Sequence, residues 1–179
     1  MVHGPQTIVH GPQTIVHTPL KPVVFMDRVK LEVIAGNGGD GMSSFRREKF
    51  VPRGGPDGGD GGRGGHVIFR ASKDQDSLLP LYFKPLQRAQ HGVKGGTQRR
   101  HGRNGSDLVV PVPCGTIAYH YDTEERLGEV LQDGDELRVA RGGRGGQGNC
   151  RFVTSTSQAP IEFTEGVVGE HKILRLDLK

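Results

Sequence analysis

The chain has no tryptophan, and its 179 residues include only two cysteines and three tyrosines. Cys114 and Cys150 are too few for a disulfide framework. Neither has a C-x-x-C partner or a nearby histidine at zinc-site spacing, so reduced, partly buried thiols are expected. No apolar run reaches the ~18 residues that span a bilayer, so no membrane segment is expected. No Gly-Lys dipeptide occurs, which removes the phosphate-binding loop of P-loop nucleotide hydrolases. His66, His91 and His101 are scattered and suggest no base–nucleophile–orienter arrangement. Acidic residues are missing from 77–106 and again from 137–161.

Glycine is abundant, with 29 residues, and it is phased. Gly55, Gly58, Gly61 and Gly64 form one track, and Gly59, Gly62 and Gly65 a second. The third reads Asp57, Asp60, Arg63, His66. The phase returns at Gly36/Gly39 with Gly38/Gly41 and at Gly142/Gly145/Gly148 with Gly143/Gly146. It is weaker at Gly92/Gly95 and Gly102/Gly105. A period of three fits neither helix nor strand but matches polyproline II. Two faces then carry only hydrogen, so chains can lie backbone against backbone. The third face is expected to point polar side chains outward. Glycine costs ~0.5–1 kcal/mol against alanine in regular structure, so a packed bundle of extended chains is the simplest compensation. A loose dinucleotide-like pattern at 143–148 lacks both the register and the βαβ context.

Residues 1–25 differ from the rest. Val2 to Ile8 repeats as Val9 to Ile15, and Val16-His-Thr-Pro19 begins a third copy, with no Lys, Arg, Asp or Glu before Lys21. This reads as a disordered or non-native repeat tail, without the features of a secretory signal. The ordered unit is expected over 26–179. Val29, Leu31 and Val33 alternate with polar residues as in a strand. Further strands are expected at His66 to Arg70, Asp107 to Val112, Thr116 to Tyr121, Leu127 to Leu131, Glu136 to Ala140 and Lys172 to Leu178. Asp122 to Glu125 and Asp133-Gly134 read as hairpin turns. Ser77 to Gln87 reads as one short helix broken by Pro80 and Pro85. The fold class is therefore mostly β and irregular, with strands closing into a small sandwich or barrel.

The net charge is +4, which favours an anionic partner. Basic residues cluster at Arg46, Arg47, Lys49 and Arg53, then at Lys84, Arg88, Lys94, Arg99, Arg100 and Arg103. A third cluster is Arg138, Arg141, Arg144 and Arg151. They lie mostly between or just after glycine runs, so a rigid bundle would gather three loop tips at one end. Arginine's flat fork suits phosphate oxygens. Ordinary solvated charges, or partners for Asp57, Asp60 and Glu48, are the competing reading, in which Arg63 pairs with Asp60 inside the bundle.

The stretch from Gly38-Gly-Asp-Gly-Met-Ser-Ser-Phe-Arg-Arg-Glu-Lys-Phe to Gly-Gly-Arg-Gly-Gly65 closely resembles the N-terminal signature of the Obg family of GTPases. Asp107 to Thr116, Val139 to Asn149 and Thr156-Ser-Gln-Ala-Pro160 extend the match to roughly 25–179. The resemblance implies an Obg fold: a bundle of glycine-rich left-handed type II helices on a small β-barrel. It implies a GTPase domain after the last strand, with GTP and magnesium as that domain's cofactors. Asn-Lys-x-Asp, which reads guanine in such GTPases, is absent here as well, so this chain itself is expected to hold no cofactor and to be no enzyme.

The resemblance also implies that the helix tips probe the large ribosomal subunit during its assembly. That places Arg46, Arg47, Lys49, Arg53 and Arg103 on the candidate rRNA surface, joined by Arg99, Arg100, Arg141 and Arg144. Gly55, Gly58, Gly61, Gly64, Gly142 and Gly145 form the structural bundle. Asn37, Asp40, Asp57 and Asp60 shape or bridge it, and Gln158 and Pro160 read as structural. Phe45 and Phe50 either stack on bases or anchor their loop. A cytoplasmic monomer is expected, with an organellar location left open. The alternative function is a protein-interaction module for stress-response partners.

Overall fold

The structure, a computed structural model, describes residues 26–47 and 54–179. The expected tail and Glu48, Lys49, Phe50 and Arg53 lie outside the described residues. Strand β1 (Arg28–Ile34) buries Val29, Leu31 and Val33 and exposes Arg28, Lys30 and Glu32, as its period of two requires. It pairs antiparallel with β8 (His171–Leu178), Leu31 opposite Leu174. On the other side of β8 lies β5 (Thr116–His120), followed by β6 (Arg126–Val130). The turn at 122–125 joins β5 to β6 as a hairpin, with Glu124 at φ 55°.

Helix α1 (Leu79–Phe83) starts with Pro80 in its first turn, where the missing N–H costs no bond. It stops before Pro85, since a residue preceding proline disfavours the helical region. Leu86–Arg88 then forms β3, parallel to β1, which closes the order β3-β1-β8-β5-β6. Periodicity missed this three-residue strand because the short apolar run was absorbed into the helix.

The remaining strands form a second sheet, β4-β2-β7, from β2 (Val67–Ala71), β4 (Leu108–Val112) and β7 (Glu136–Ala140). The described strands therefore make two sheets and not a closed barrel. The turn at Asp133-Gly134 is where this happens. Gly134 takes φ +88°, but the turn carries the chain from one sheet to the other and is no hairpin within a sheet. Asp135 occupies the N–H groups of Leu131 (3.1 Å) and Gln132 (2.8 Å). Beside Gly128 of β6 lies the Leu137 side chain of β7, so these strands meet by side-chain packing instead of a ladder. The sheets share one core that includes Leu31, Val33, Phe69, Val112, Leu174 and Leu176. Each such side chain contributes ~1.5–3 kcal/mol on burial.

The glycine-rich chain lies outside helix and strand as six extended segments: I (36–44), II (54–65), III (89–96), IV (99–106), V (141–148) and VI (163–170). Each begins or ends at a strand, so I, III and V leave the sheets and II, IV and VI return. Their backbones are cross-linked every third residue. Gly36, Gly39 and Met42 donate to the carbonyls of Gly65, Gly62 and Gly59. Gly61 and Gly64 donate to Gly146 and Gly143, and Gly62 and Gly65 to Val93 and Gln90. Segment II thus touches I, III, IV and V and forms the axis of a shaft.

None of these glycines adopts positive φ, so they are not there for a left-handed backbone. A Cβ at Gly58, Gly61 or Gly64 would lie under 3.0 Å from the backbone of segment I, and one at Gly142 or Gly145 under 3.0 Å from that of segment II. Gly55 differs: it is exposed, with no atom of the described residues within 4 Å of the Cβ position.

Candidate nucleic-acid interface

The far end of the shaft carries three connections, whose described residues are 43–47 with 54–57, 96–100 and 149–163. Asp57 joins the first two. Its buried carboxylate accepts from Ser44 Oγ (2.5 Å) and from the Gln98 N–H (3.2 Å), and its carbonyl accepts from the Arg99 N–H (2.6 Å). Gln98 and Arg99 both sit at φ 56°, a conformation costing ~1–2 kcal/mol per non-glycine residue. The Asp57 bonds offset that cost and hold the turn that presents Arg99.

Asn149 joins the third connection to the first. It is fully buried; its Oδ1 accepts from the Gly58 N–H (2.9 Å), and its Nδ2 donates to the carbonyls of Ser44 (3.0 Å) and Pro160 (3.1 Å). Composition and spacing gave no signal for this role beyond an asparagine at the end of a glycine run.

Arg46, Arg47 and Arg99 line one concavity at the tip together with Gly55, Pro56, Asp57 and Gln98. Arg46, Arg47, Arg99 and Arg100 are all exposed, and Arg100 donates to Gln98 Oε1 (3.1 Å). The other sequence-derived arginines are spread along the shaft. Arg103 and Arg144 lie at mid-height, and Arg141 lies at the base, its N–H held by Glu170 Oε2 (3.0 Å). Phe45 is half-buried and bridges to Pro56, which anchors the loop.

The polar track of segment II does not simply face solvent. Asp60 accepts from the Gly148 N–H (2.9 Å) and from Arg151 (2.8 Å). Burial opposes its ionisation, but that N–H, Arg151 and His101 together keep its pKa below the usual carboxylate range. Arg63 pairs with Asp107 (2.9 and 3.2 Å), not Asp60. The Arg63 hydrogen bond, helped by the His66 N–H, lowers the Asp107 pKa to about 2. His66 Nδ1 accepts from the Gly142 N–H (2.8 Å), and burial lowers its pKa. The physical reason is shared: segment II sits at the axis, so its side chains meet neighbouring backbone before they meet water. Lys94 lies 5.9 Å over the Phe163 ring, a pairing that sequence spacing did not suggest.

Among the described residues no group of three or more His, Cys, Asp or Glu is placed to hold a metal ion, and no helix is long and apolar enough to cross a membrane.

The family model GTP1/OBG matches residues 26–179, the two sheets and the whole shaft. The chain belongs to this family. It is similar to the GTPase Obg of Synechococcus sp. (strain JA-3-3Ab), 52% identical over 155 residues that make up 87% of this chain and 40% of that protein. The GTPase Obg of Syntrophotalea carbinolica is 50% identical over 87% of this chain and 44% of its own length. That of Synechocystis sp. is 49% identical over 87% and 42%. The chain thus spans less than half the length of the curated relatives it matches.

Proposed function

We propose that this chain is the RNA-binding domain of an Obg-type GTPase and docks it on the large ribosomal subunit during assembly. The six segments are read as left-handed polyproline-II-like helices, supported by their three-residue hydrogen-bond repeat and the absence of positive φ at their glycines. The observation that carries the reading is the meeting of Arg46, Arg47 and Arg99 around one tip concavity. Guanidinium groups there offer bidentate donors to phosphate oxygens, and a folded RNA presents its backbone as a shape. A scaffold already cross-linked along its length has little left to order on binding.

In this reading the intact protein is a cytoplasmic GTPase, and GTP with magnesium belongs to its G domain. The residues of this chain do not fit that nucleotide, because Gly-Lys and Asn-Lys-x-Asp are missing. A second reading has one observation of its own. Segment VI and its approach expose Ile161, Val167 and Val168 beside Glu162 and Glu165, a surface suited to protein partners such as stress-response factors.

The test is sedimentation with purified large subunits over a salt series. Arg46→Glu, Arg47→Glu and Arg99→Glu are expected to weaken binding. Each lost phosphate contact should reduce the log–log salt slope by about 0.7–0.9. Unchanged affinity in all three variants would refute the reading.

A further inference from the structure

Asparagine is followed by glycine at two places, Asn37-Gly38 and Asn104-Gly105. Such a pair is self-reactive. Glycine has no Cβ to hinder approach, so its main-chain nitrogen can attack the asparagine side-chain carbon Cγ. Both pairs lie in the shaft, one in segment I and one in segment IV. Both attacking nitrogens are engaged: Gly38 donates to the Val167 carbonyl (2.8 Å) and Gly105 to that of Arg63 (2.8 Å). Both side-chain amides are engaged too. Asn37 Oδ1 accepts from the Gly169 N–H (3.1 Å), and Asn104 Oδ1 from the Arg63 N–H (2.9 Å). Reaction at either pair therefore requires these bonds to open.

The two sites differ in how much must open. Asn37 is half-buried; its N–H also donates to His91 Nδ1 (2.8 Å), and its carbonyl accepts from the Gly92 N–H (2.8 Å). Segments III and VI thus both hold it, and segment I is bonded to II and V besides. Asn104 is exposed, and the two bonds that restrain its reaction run to a single residue, Arg63. Its own N–H and carbonyl have no partner among the described residues, where segment IV is bonded to II and III alone. A peripheral segment held on two sides opens more readily than one enclosed on four.

We infer that Asn104-Gly105 is a self-modification site, a deamidation gated by release of segment IV from Arg63. Gly105 N loses its proton to solvent and bonds to Asn104 Cγ. The Cγ–Nδ2 bond breaks, and ammonia leaves. Water then opens the succinimide ring at either carbonyl, giving aspartate or isoaspartate; no oxidant or cofactor enters. In isoaspartate the main chain runs through Cβ and Cγ and is longer by a methylene. Gly105 then no longer meets Arg63 in the three-residue register, so a transient opening becomes permanent. A carboxylate also enters the stretch 77–106, which has no acidic residue. The inference does not depend on what the shaft binds.

The full chain is incubated in warm, mildly alkaline buffer made with heavy-oxygen water, and peptide mass spectrometry follows both asparagines. In urea, where both pairs are free, their rates should agree within about twofold. In the folded chain Asn104 is expected to convert and Asn37 to lag at least about tenfold. Asn104→Gln should remove the faster signal. Gln90→Ala deletes the bond from the Ser106 N–H (3.1 Å) that helps hold segment IV to III, and should speed Asn104 about two- to tenfold. Thr164→Ala deletes the matching bond from the Gln147 N–H between V and VI, and should leave Asn104 within about twofold. Unreduced melting temperatures would show that the variants fold.

Hydrogen exchange at the Gly105 amide should run ahead of that at Gly38. Equal conversion of Asn37 and Asn104 in the folded chain would overturn the site, as would an intact Asn104 once the unfolded chain has converted. A wild-type rate in Gln90→Ala, or a Gly105 amide exchanging no faster than Gly38, would overturn the gating by segment IV.

Discussion

Gly61 sits so close to the carbonyl oxygen of Gly39 that a methyl group on it would overlap that atom. Neither partner can step aside, because Gly39 donates to the Gly62 carbonyl and Gly61 to that of Gly146. Gly61→Ala is therefore expected to cost at least ~3 kcal/mol, at or above the upper end for overpacking. Gly55→Ala, made where the Cβ position is open, should stay within ~0.5 kcal/mol. Urea denaturation of the two variants checks the contrast.

Asn149→Asp keeps size and shape but turns the Nδ2 donor into an acceptor facing the carbonyls of Ser44 and Pro160. The carbonyls of Ser44 and Pro160 then lose their donor, and a buried carboxylate is left with the Gly58 N–H alone. A loss of ~3–5 kcal/mol is expected, with hydrogen exchange rising first at the tip connections.

Acid should weaken the shaft in two windows. His66 titrates below its ordinary 6.5 in the folded chain, so the unfolded chain takes the proton first. Its contribution is whole above pH 6.5 and falls as pH drops beneath it. Asp107, Arg63, Arg138 and Arg141 are the charges acting on it. Asp107 titrates at about 2 against 3.8, so its contribution is whole above pH 3.8 and is lost as pH falls through about 2. His66→Asn, which keeps an acceptor at the Nδ1 position, should flatten the upper window. Asp107→Asn should flatten the lower one. Urea midpoints measured against pH provide the comparison.

Asp60→Ala releases the Gly148 N–H, Arg151 and His101 together. Stability should fall by ~1–3 kcal/mol. Under the RNA-binding reading, the freed Arg151 should also steepen the salt dependence of subunit binding. A melting curve and the same sedimentation series report the two effects separately.

Much of this was legible in the sequence, because both periods are written in it. Alternation marks β1, and the glycine phase marks segments I, II and V. Segment VI was not legible, since Gly166 and Gly169 stand alone among valines and glutamates. The pairing of β1 with β8 joins the two ends of the described unit, and local pattern carries no information on such distant partners. The roles of Asp57 and Asn149 depend on three connections meeting, which spacing cannot express. The outward orientation expected for Asp60 and His66 did not hold, because their segment became the axis.

The hydrogen-bond register also fixes what kinds of insertion and deletion the shaft tolerates. One added residue in segment II would rotate every later glycine off its neighbour and set a side chain against a carbonyl. Three added residues restore the rotation but leave unmatched donors and acceptors in segments I, III, IV and V. The reach of this domain is thus quantised, and it lengthens or shortens only by coordinated triplets in parallel stretches of chain.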